Sequence, residues 1–319
     1  MRCVAWFLVG FFVLAATFPS QCNGGGGSNP PEPVELTQEV RPVQGGTQVD
    51  VAYSADIDTA RNRGRCTYAV FVRDTDVYSA TYDESGILTA GHCALRGDSS
   101  VSQNLSSTGQ DVWQSFEGDT AQTDRIVARV TRRTPYELWG ENECPAFDDQ
   151  GNSIEYCLRA DALFAKLEPD LTLADAGLAN VALSVDDVEL TIENPDDYDR
   201  YVGAQSAPFA NSRVYKIGRT TGKTRGVVVD RIPELTIRDT TGNLYIDYDM
   251  YAVQPEDHIK MAAGGDSGAP VLYQNPESMG QDGYALVGIV VAATREGVMF
   301  MDLWGEIRDE LSITITNGY

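Results

Sequence analysis

Hydrophobic residues occur along most of the chain in short runs or in alternation with polar residues, a pattern typical of β-strands. Residues 125–132 (RIVARVTR) alternate, and residues 235–248 (LTIRDTTGNLYIDY) contain two strand patterns joined by a Thr-Gly-Asn turn. Residues 284–292 (YALVGIVVA) form an apolar run of the kind found in buried strands. The exception is residues 302–313, whose apolar side chains share one helical face: Leu303, Trp304, Ile307 and Leu311. We therefore predict an all-β domain, a sandwich or a barrel, that ends in an amphipathic helix.

The N-terminal residues differ in composition from the rest of the chain. Arg2 precedes an apolar run that is too short to cross a membrane comfortably, so we predict that residues 1–22 are a signal segment. Residues 23–42 are rich in Gly, Pro and Ser, which predicts a flexible linker. The predicted domain therefore spans residues 43–319.

Cys22 lies directly before the linker, an arrangement that indicates a lipid-modified cysteine on a tether. Pro19 and Gln21 stand where the usual lipidation motif has Leu and a small residue, which favours a freely secreted protein instead. Both interpretations, a lipid anchor at Cys22 and free secretion, stay open. Either one predicts an extracellular location.

The charge balance limits the partners that the chain can bind. It contains 24 Lys and Arg residues and 47 Asp and Glu residues, so its formal net charge is −23 at pH 7. This negative field would repel the phosphates of nucleic acid, and we predict no nucleic-acid binding. The same field fits a secreted protein that its own charge keeps soluble and monomeric.

The stretch GGDSGAPV (264–271) places Ser267 in a setting typical of a nucleophile. A serine hydroxyl must lose its proton to a nearby base as it attacks, and histidine is the usual base. The chain has two histidines: His92, in LTAGHCAL, and His258, in a polar stretch nine residues before the serine. An acidic residue must hold the histidine in the correct tautomer, and Asp161 leads the apolar strand pattern ADALFAKL. The candidate residues then occur in the order His92, Asp161, Ser267.

This order distinguishes among the known serine hydrolases. The α/β-hydrolase order ends in histidine, but no histidine follows Ser267, and the subtilisin order begins with aspartate. The motifs LTAGHC, RADALFAKL and GGDSGAPV, in this order, resemble the chymotrypsin-like serine peptidases. GRC (64–66) and GRTTG (218–222) make the chain most similar to the bacterial streptogrisin and α-lytic branch of that family. The likeness covers roughly residues 43–313.

The resemblance implies both a fold and a chemistry. The fold is two six-stranded antiparallel β-barrels with a C-terminal helix, and the active site lies in the cleft between the barrels. His92 would be the general base, Asp161 the acid that orients it, and Ser267 the nucleophile. Backbone N–H groups of Gly265 and Ser267 would form the oxyanion hole. The implied protein is a secreted serine endopeptidase that hydrolyses protein or peptide substrates through an acyl-enzyme, without a metal or organic cofactor.

One residue departs from the family pattern near the aspartate. Leu163 stands two positions after Asp161, where family members have a small residue. Asp148 and Asp149 therefore remain alternative candidates for the orienting acid. An inactive homologue that uses the two barrels as a binding module remains an alternative function, and an esterase would share the same chemistry.

The resemblance also implies an internal ion pair next to the nucleophile. In the family, the carboxylate that precedes the serine points into a buried pocket, where a charge must be paired. In the streptogrisin branch its partner is the arginine of the GRTTG segment. We therefore expect an ion pair between Arg219 and Asp266.

Four cysteines beyond residue 22 make an even set, which predicts disulfides in an exported chain. The resemblance implies a bridge between Cys66 and Cys93, beside the candidate histidine. Cys144 and Cys157 would then close an acidic inserted loop just upstream of Asp161. A different pairing of the four stays open.

The residues that would form the primary specificity pocket also follow from the resemblance. Counting back from the serine places Met261 at the base of the pocket, beside Ala262. The far wall would consist of Val291, Ala292 and Ala293. Because none of these residues is charged, we predict a small or medium apolar side chain before the scissile bond.

Overall fold

The computed structural model describes residues 45–46, 48–52, 63–95, 108–113, 126–141, 144–168, 180–183, 188–192, 210–239, 242–256, 259–274 and 283–315. The predicted signal segment (1–22), the predicted linker (23–42), Cys22 and His258 lie outside these residues. Within the described residues, no helix combines the length and the hydrophobicity that crossing a membrane requires.

Strands dominate the described part of the chain. In order they are β1 (Gln48–Ala52), β2 (Arg63–Thr67), β3 (Phe71–Asp74), β4 (Ser85–Ala90), β5 (Asp111–Trp113), β6 (Ile126–Arg133), β7 (Tyr136–Leu138), β8 (Tyr156–Leu158), β9 (Ala162–Leu167), β10 (Asn180–Leu183), β11 (Val188–Ile192), β12 (Arg213–Gly218), β13 (Gly222–Arg238), β14 (Leu244–Pro255), β15 (Pro270–Gln274), β16 (Gly283–Ala293), β17 (Met299–Leu303) and β18 (Ile313–Ile315). A 3-10 helix (Gly91–Ala94) follows β4, and helix α1 (Trp304–Leu311) lies between β17 and β18. The predicted strands at 125–132, 235–248 and 284–292 correspond to β6, to β13 with β14, and to β16.

The first sheet has the strand order β18-β3-β4-β9-β6-β5-β1-β2, and its neighbouring strands are antiparallel. β2 and β3 lie far apart in this order, yet only residues 68–70 separate them in the chain. They are therefore two parts of one bent strand, which closes the sheet on itself. The closed unit consists of β1, β2–β3, β4, β5, β6 and β9, and β18 adds to its β3 edge.

The second sheet closes through β17, which pairs with both β14 and β16. The resulting ring is β12-β13-β14-β17-β16-β15, and all its pairs are antiparallel. Two additions lie outside the ring: β10 and β11 join at β16, and β7 and β8 join at β14. The prediction of two six-stranded antiparallel barrels with a C-terminal helix is confirmed.

One apolar cluster packs the two barrels together. Leu88 and Phe164 of the first barrel meet Ile217 and Leu272 of the second within it. Helix α1 completes the cluster with the buried residues of its predicted apolar face: Trp304, Ile307 and Leu311. The helix therefore stabilises the junction of the barrels, because its apolar side chains leave water only when both barrels are in place.

β13 and β14 form a hairpin that extends beyond the second barrel, and an insert packs against its edge. Only residues 222–227 of β13 pair with β12, while the rest of the strand pairs with β14. This insert, residues 136–158, contains β7 and β8, and β8 runs parallel to β14. The disulfide between Cys144 and Cys157 closes the insert and is buried against Ile246 of β14. This predicted disulfide is confirmed.

Candidate active site

His92 lies in the 3-10 helix that follows β4, at the end of the first barrel. The second predicted disulfide, Cys66–Cys93, is confirmed and joins this helix to β2. Cys66, His92 and Cys93 lie close enough together to suggest metal ligands. Both sulfur atoms are bonded to each other, however, so neither can supply the thiolate that a metal would bind. The disulfide instead ties the residue that follows His92 to β2.

Asp161 contacts His92 twice. Its Oδ1 atom accepts a hydrogen bond of 2.8 Å from the His92 backbone N–H, and its Oδ2 atom lies in hydrogen-bond contact with His92 Nδ1. Asp161 is buried at the start of β9, which pairs with β4 immediately before the 3-10 helix. The neighbouring Leu163, which departs from the family pattern, is buried in the core of the first barrel. The structure therefore brings Asp161 and His92 together despite that departure.

The alternative acids lie in a different environment. Asp148 Oδ1 accepts hydrogen bonds from the backbone N–H groups of Gln150 and Asn152, and its Oδ2 accepts one from Asn152 Nδ2. These bonds hold the tip of the disulfide-closed insert. Asp149, the other alternative, follows in the same exposed turn. Of the three candidate acids, Asp161 is the one that contacts His92.

Ser267 lies in the tight turn before β15, and that turn packs against the first barrel. Its carbonyl oxygen accepts a hydrogen bond of 2.8 Å from the backbone N–H of Thr67 in β2. The next residue, Gly268, has a φ of +83°, and a Cβ there would overlap Thr89 Oγ1 and the Thr67 carbonyl oxygen. It would also lie 2.8 Å from the backbone nitrogen of Ala90, two residues before His92. Only glycine allows this close approach, which brings the serine to the strand end that leads into the histidine.

The backbone N–H groups around the serine divide into two sets. Those of Asp266, Gly268 and Ala269 donate to carbonyl oxygens at distances of 3.0, 2.7 and 2.8 Å. Those of Gly265 and Ser267 donate to no acceptor within the described residues. Two donors on either side of one residue are therefore available for the oxygen of a bound molecule.

The buried carboxylate of Asp266 pairs with Lys216, and the expected pairing of Asp266 with Arg219 stays a prediction. Lys216 Nζ lies 3.2 Å from Asp266 Oδ2, and both side chains are fully buried. Asp266 Oδ2 also accepts hydrogen bonds from Thr221 Oγ1 (2.7 Å) and from the Ala263 backbone N–H (3.0 Å). Burial lowers the pKa of Lys216, and the Asp266 carboxylate opposes that shift. The ion pair is thus fully buried, and several further donors hold the carboxylate.

The GRTTG segment also surrounds this carboxylate with backbone N–H groups. The N–H groups of Thr220 and Thr221 donate to Asp266 Oδ1 at 2.8 and 3.3 Å. A Cβ on Gly218 would lie 2.8 Å from the Asp266 Cγ atom, so glycine is needed there for the turn to approach. A Cβ built on Gly265 would lie 2.6 Å from the Arg219 Nη1 atom. The Arg219 guanidinium therefore lies over Gly265.

The residues predicted to form the specificity pocket lie along two segments of the second barrel. Met261 and Ala262 are buried in the barrel core, and Thr224 Oγ1 donates to the Met261 carbonyl oxygen at 2.7 Å. Val291 is buried at an irregularity in the pairing of β16, whereas Ala292 is half-buried and Ala293 is exposed. The assignment of these residues to a substrate pocket stays a prediction.

The pKa of His92 reflects opposing influences. Burial lowers it, but the charge of the Asp161 carboxylate and its hydrogen bond raise it more, and Asp239 raises it further, so the net shift is upward. An imidazole in this position can hold a proton that it takes from a nearby hydroxyl. The pair therefore has the chemistry of a general base with its orienting acid.

Two further acidic groups, Asp247 and Asp302, lie near Asp161, and Glu306 lies near both of them. Asp247 and Asp302 are fully buried, and burial is the main reason why the pKa of each is well above its usual value. The charges of neighbouring acids raise both values further, whereas the hydrogen bond from the Asp161 backbone opposes the shift at Asp302. The Asp161 backbone N–H donates to Asp302 Oδ2 at 2.5 Å. Burial and the nearby Asp249 raise the pKa of Glu306, in the first turn of α1, to about 7.

These groups predict an unusual dependence of stability on pH. An acid whose pKa is higher in the folded state binds its proton more tightly there, so the free energy of unfolding falls as pH rises through the folded value. For Glu306 this window lies between about 4.5 and 7, and the raised pKa of His92 acts in the same direction. We expect the Tm to be higher at about pH 5 than at about pH 8. Each kcal/mol lost from the free energy of unfolding should lower the Tm by about 2–4 °C. Thermal unfolding followed by circular dichroism measures the difference.

The matched variants are Glu306→Gln and Asp309→Asn, each of which removes one negative charge from α1. Asp309 is exposed and pairs with Arg308 at the surface. Glu306→Gln should reduce the pH dependence of the Tm, and Asp309→Asn should leave it unchanged. Equal slopes in the two variants would attribute the effect to net charge and contradict the role of Glu306.

Comparison with protein-family models finds no match, and neither does comparison with curated proteins. Three solved structures are similar over 86% of this chain and 99% of their own. Protease A of Thermobifida fusca is 18% identical with a TM-score of 0.47, the Nocardiopsis protease 15% with 0.48, and the Cellulomonas bogoriensis chymotrypsin 16% with 0.47. These neighbours are bacterial chymotrypsin-like serine proteases, the group that the sequence motifs resemble. At these identities and scores the likeness assigns no activity to this chain, so the residues of the site decide its function.

Proposed function

We propose that this chain is a secreted serine endopeptidase that hydrolyses peptide bonds through an acyl-enzyme at Ser267. The observation that carries the proposal is the double contact between Asp161 and His92, at the strand end against which the serine turn packs. A buried aspartate that accepts from the Nδ1 atom of an imidazole leaves the opposite ring nitrogen as the proton acceptor. The two disulfides support export, since such bonds persist in oxidising compartments.

The first half of the reaction forms the acyl-enzyme. Ser267 Oγ attacks the carbonyl carbon of the scissile bond while His92 Nε2 takes its proton. The carbonyl electron pair moves onto the oxygen, and the free N–H groups of Gly265 and Ser267 stabilise the resulting oxyanion. The C–N bond then breaks as the tetrahedral intermediate collapses, and His92 returns the proton to the leaving amine.

The second half reverses these roles with water in place of the serine. His92 takes a proton from the water, whose oxygen attacks the acyl carbon and forms a second tetrahedral intermediate. Collapse of this intermediate breaks the bond to Ser267 Oγ, which takes the proton back from His92. The products are a carboxylic acid and the free enzyme, and each step as written balances without a metal or redox cofactor.

The pocket residues support a preference for apolar side chains. Met261, Ala262 and Val291 are buried and uncharged. We propose that they accept a small or medium apolar side chain on the amino-terminal side of the scissile bond.

A fluorophosphonate probe tests the nucleophile directly, because it bonds covalently to serine hydroxyls that an adjacent base activates. We expect the purified chain to be labelled at Ser267 and to cut unfolded proteins after small or medium apolar residues. Mass spectrometry of the labelled chain and of the product peptides measures both results. The Ser267→Ala variant should be neither labelled nor active.

The labelling and cleavage results distinguish the endopeptidase from a binding module and from an esterase. A folded, disulfide-bonded chain that takes no label would make the binding-module function the better interpretation. Labelling at Ser267 without cleavage of any peptide, but with hydrolysis of esters, would contradict the endopeptidase proposal alone. Labelling that persists in Ser267→Ala would show that another residue is the nucleophile.

A further inference from the structure

On the basis of the proposed function, we propose that Tyr245 is a positioning residue whose hydroxyl holds the Asp161 carboxylate in place for His92. Tyr245 lies in β14, in the part of the long hairpin beyond the second barrel, and its side chain is buried. Its hydroxyl donates to Asp161 Oδ2 at 3.2 Å. This is the same oxygen atom that contacts His92 Nδ1, so the two groups together fix its position.

The donors available to Asp161 are few. Among the described residues, three reach its carboxylate: the backbone N–H of His92, the His92 ring and the Tyr245 hydroxyl. Without the tyrosine, every hydrogen bond to the carboxylate would come from the residue that it must orient. Tyr245 is therefore the independent anchor, attached to a different barrel from His92.

The tyrosine is suited to act as a donor. Burial raises the pKa of Tyr245 well above its usual value, and the nearby charge of Asp161 raises it further. The hydroxyl therefore stays protonated and donates, while the carboxylate accepts. Asp247 and Asp302 also lie near Tyr245 and raise its pKa in the same way, which makes its ionisation still less favourable.

The insert holds Tyr245 from its other side. Tyr156 of β8 lies opposite Tyr245 in the parallel pairing of β8 with β14. The two rings stack with centroids 4.9 Å apart and planes 4° from parallel. The next residue, Cys157, forms the disulfide with Cys144 that closes the insert. The insert and the hairpin thus confine the Tyr245 ring, and the direction of its hydroxyl follows from that confinement.

The Tyr245→Phe variant removes the hydroxyl and keeps the ring. We expect kcat to fall about 10–100-fold with little change in KM, because the lost hydrogen bond goes to a charged group that acts in the transition state. The acidic limb of kcat/KM should also move to higher pH, since a carboxylate with one donor fewer attracts the imidazolium proton more strongly. Initial rates on a peptide substrate, measured across the pH range, give both results.

Tyr156→Phe is the matched control. It removes a buried hydroxyl from the other ring of the same stack, but that hydroxyl donates to Asp239 at 3.3 Å and does not contact Asp161. We expect it to leave kcat close to that of the unmodified chain, and to move the pH profile less than Tyr245→Phe does, because Asp239 acts on His92 only through its charge. Equal effects of the two variants would mean that the stack acts only through stability, which contradicts the proposal.

A measurement without substrate separates this proposal from the proposed function. The proton between His92 Nδ1 and Asp161 should give a far-downfield NMR signal, which should shift in Tyr245→Phe and stay in place in Tyr156→Phe. An unchanged signal and unchanged kcat in Tyr245→Phe would overturn the positioning role. Absence of fluorophosphonate labelling in the unmodified chain would instead overturn the proposed function. The NMR comparison would still test whether Tyr245 positions the Asp161 carboxylate.

Discussion

Replacement of Asp161 by Asn is expected to lower kcat about 10⁴-fold while the chain stays folded. The substitution keeps the size and shape of a buried side chain, so the large effect comes from the hydrogen bond to His92 rather than from packing. Steady-state kinetics on a peptide substrate measures the loss, and circular dichroism with thermal unfolding verifies the fold.

The hydrogen bonds between Asp161 and His92 explain why kcat should fall in Asp161→Asn. The His92 backbone N–H can only donate, and it points at Asp161 Oδ1, so the Asn oxygen must take that position. The Asn amino group then faces His92 Nδ1, which must become an acceptor. The proton moves to the Nε2 atom, and an imidazole in that tautomer cannot take a proton from Ser267.

Asp148→Asn is the control, because it makes the same chemical change in an acid that contacts only the insert. It should change kcat by no more than about twofold, as is usual for surface substitutions. If Asp148→Asn lowered kcat more than Asp161→Asn, the assignment of the orienting acid would be wrong.

Local sequence patterns predicted individual strands and the helix, whereas the family motifs indicated how the strands close into barrels. Alternation and apolar runs predicted β6, β13, β14 and β16, and helical spacing predicted the buried face of α1, because these signals depend on burial within one element. Closure of the barrels depends on the bent strand β2–β3 and on the two partners of β17. Such pairings join residues far apart in sequence, and only the family resemblance indicated them.

The residues of the candidate site also fall into two groups, those that a sequence motif indicated and those that only the fold reveals. His92, Asp161 and Ser267 lie in motifs with a specific order, so the sequence indicated them as candidates. Lys216 and Tyr245 could not, because a single lysine or tyrosine in a strand is most often partly exposed, and only the fold reveals that each is buried against a carboxylate. One signal was present for Lys216: it lies between apolar residues in RVYKIG, just before the turn that surrounds Asp266.

Replacement of Lys216 by Met is expected to destabilise the folded state by about 3–5 kcal/mol, the usual cost of leaving a buried charge without its partner. Asp266 is fully buried, so water cannot replace the lysine as the partner of the remaining carboxylate. Met has a similar length and fills the space, which limits the contribution of a cavity. Urea-induced unfolding at neutral pH measures the free energy. Residual folded protein should show reduced fluorophosphonate labelling because Asp266 adjoins Ser267, the proposed nucleophile.

Arg219→Ala distinguishes the observed ion pair from the one that the resemblance implied. The Arg219 guanidinium lies over Gly265, while the Asp266 carboxylate receives Lys216 and the N–H groups of the GRTTG turn. Loss of the arginine side chain should therefore leave the Asp266 pocket intact and cost much less stability than Lys216→Met. The double variant Lys216→Met with Asp266→Asn should cost less than the sum of its single changes, since each single change strands the partner that the other removes. A stability loss in Arg219→Ala that exceeds that of Lys216→Met would contradict the pairing with lysine and restore the arginine as the partner of Asp266.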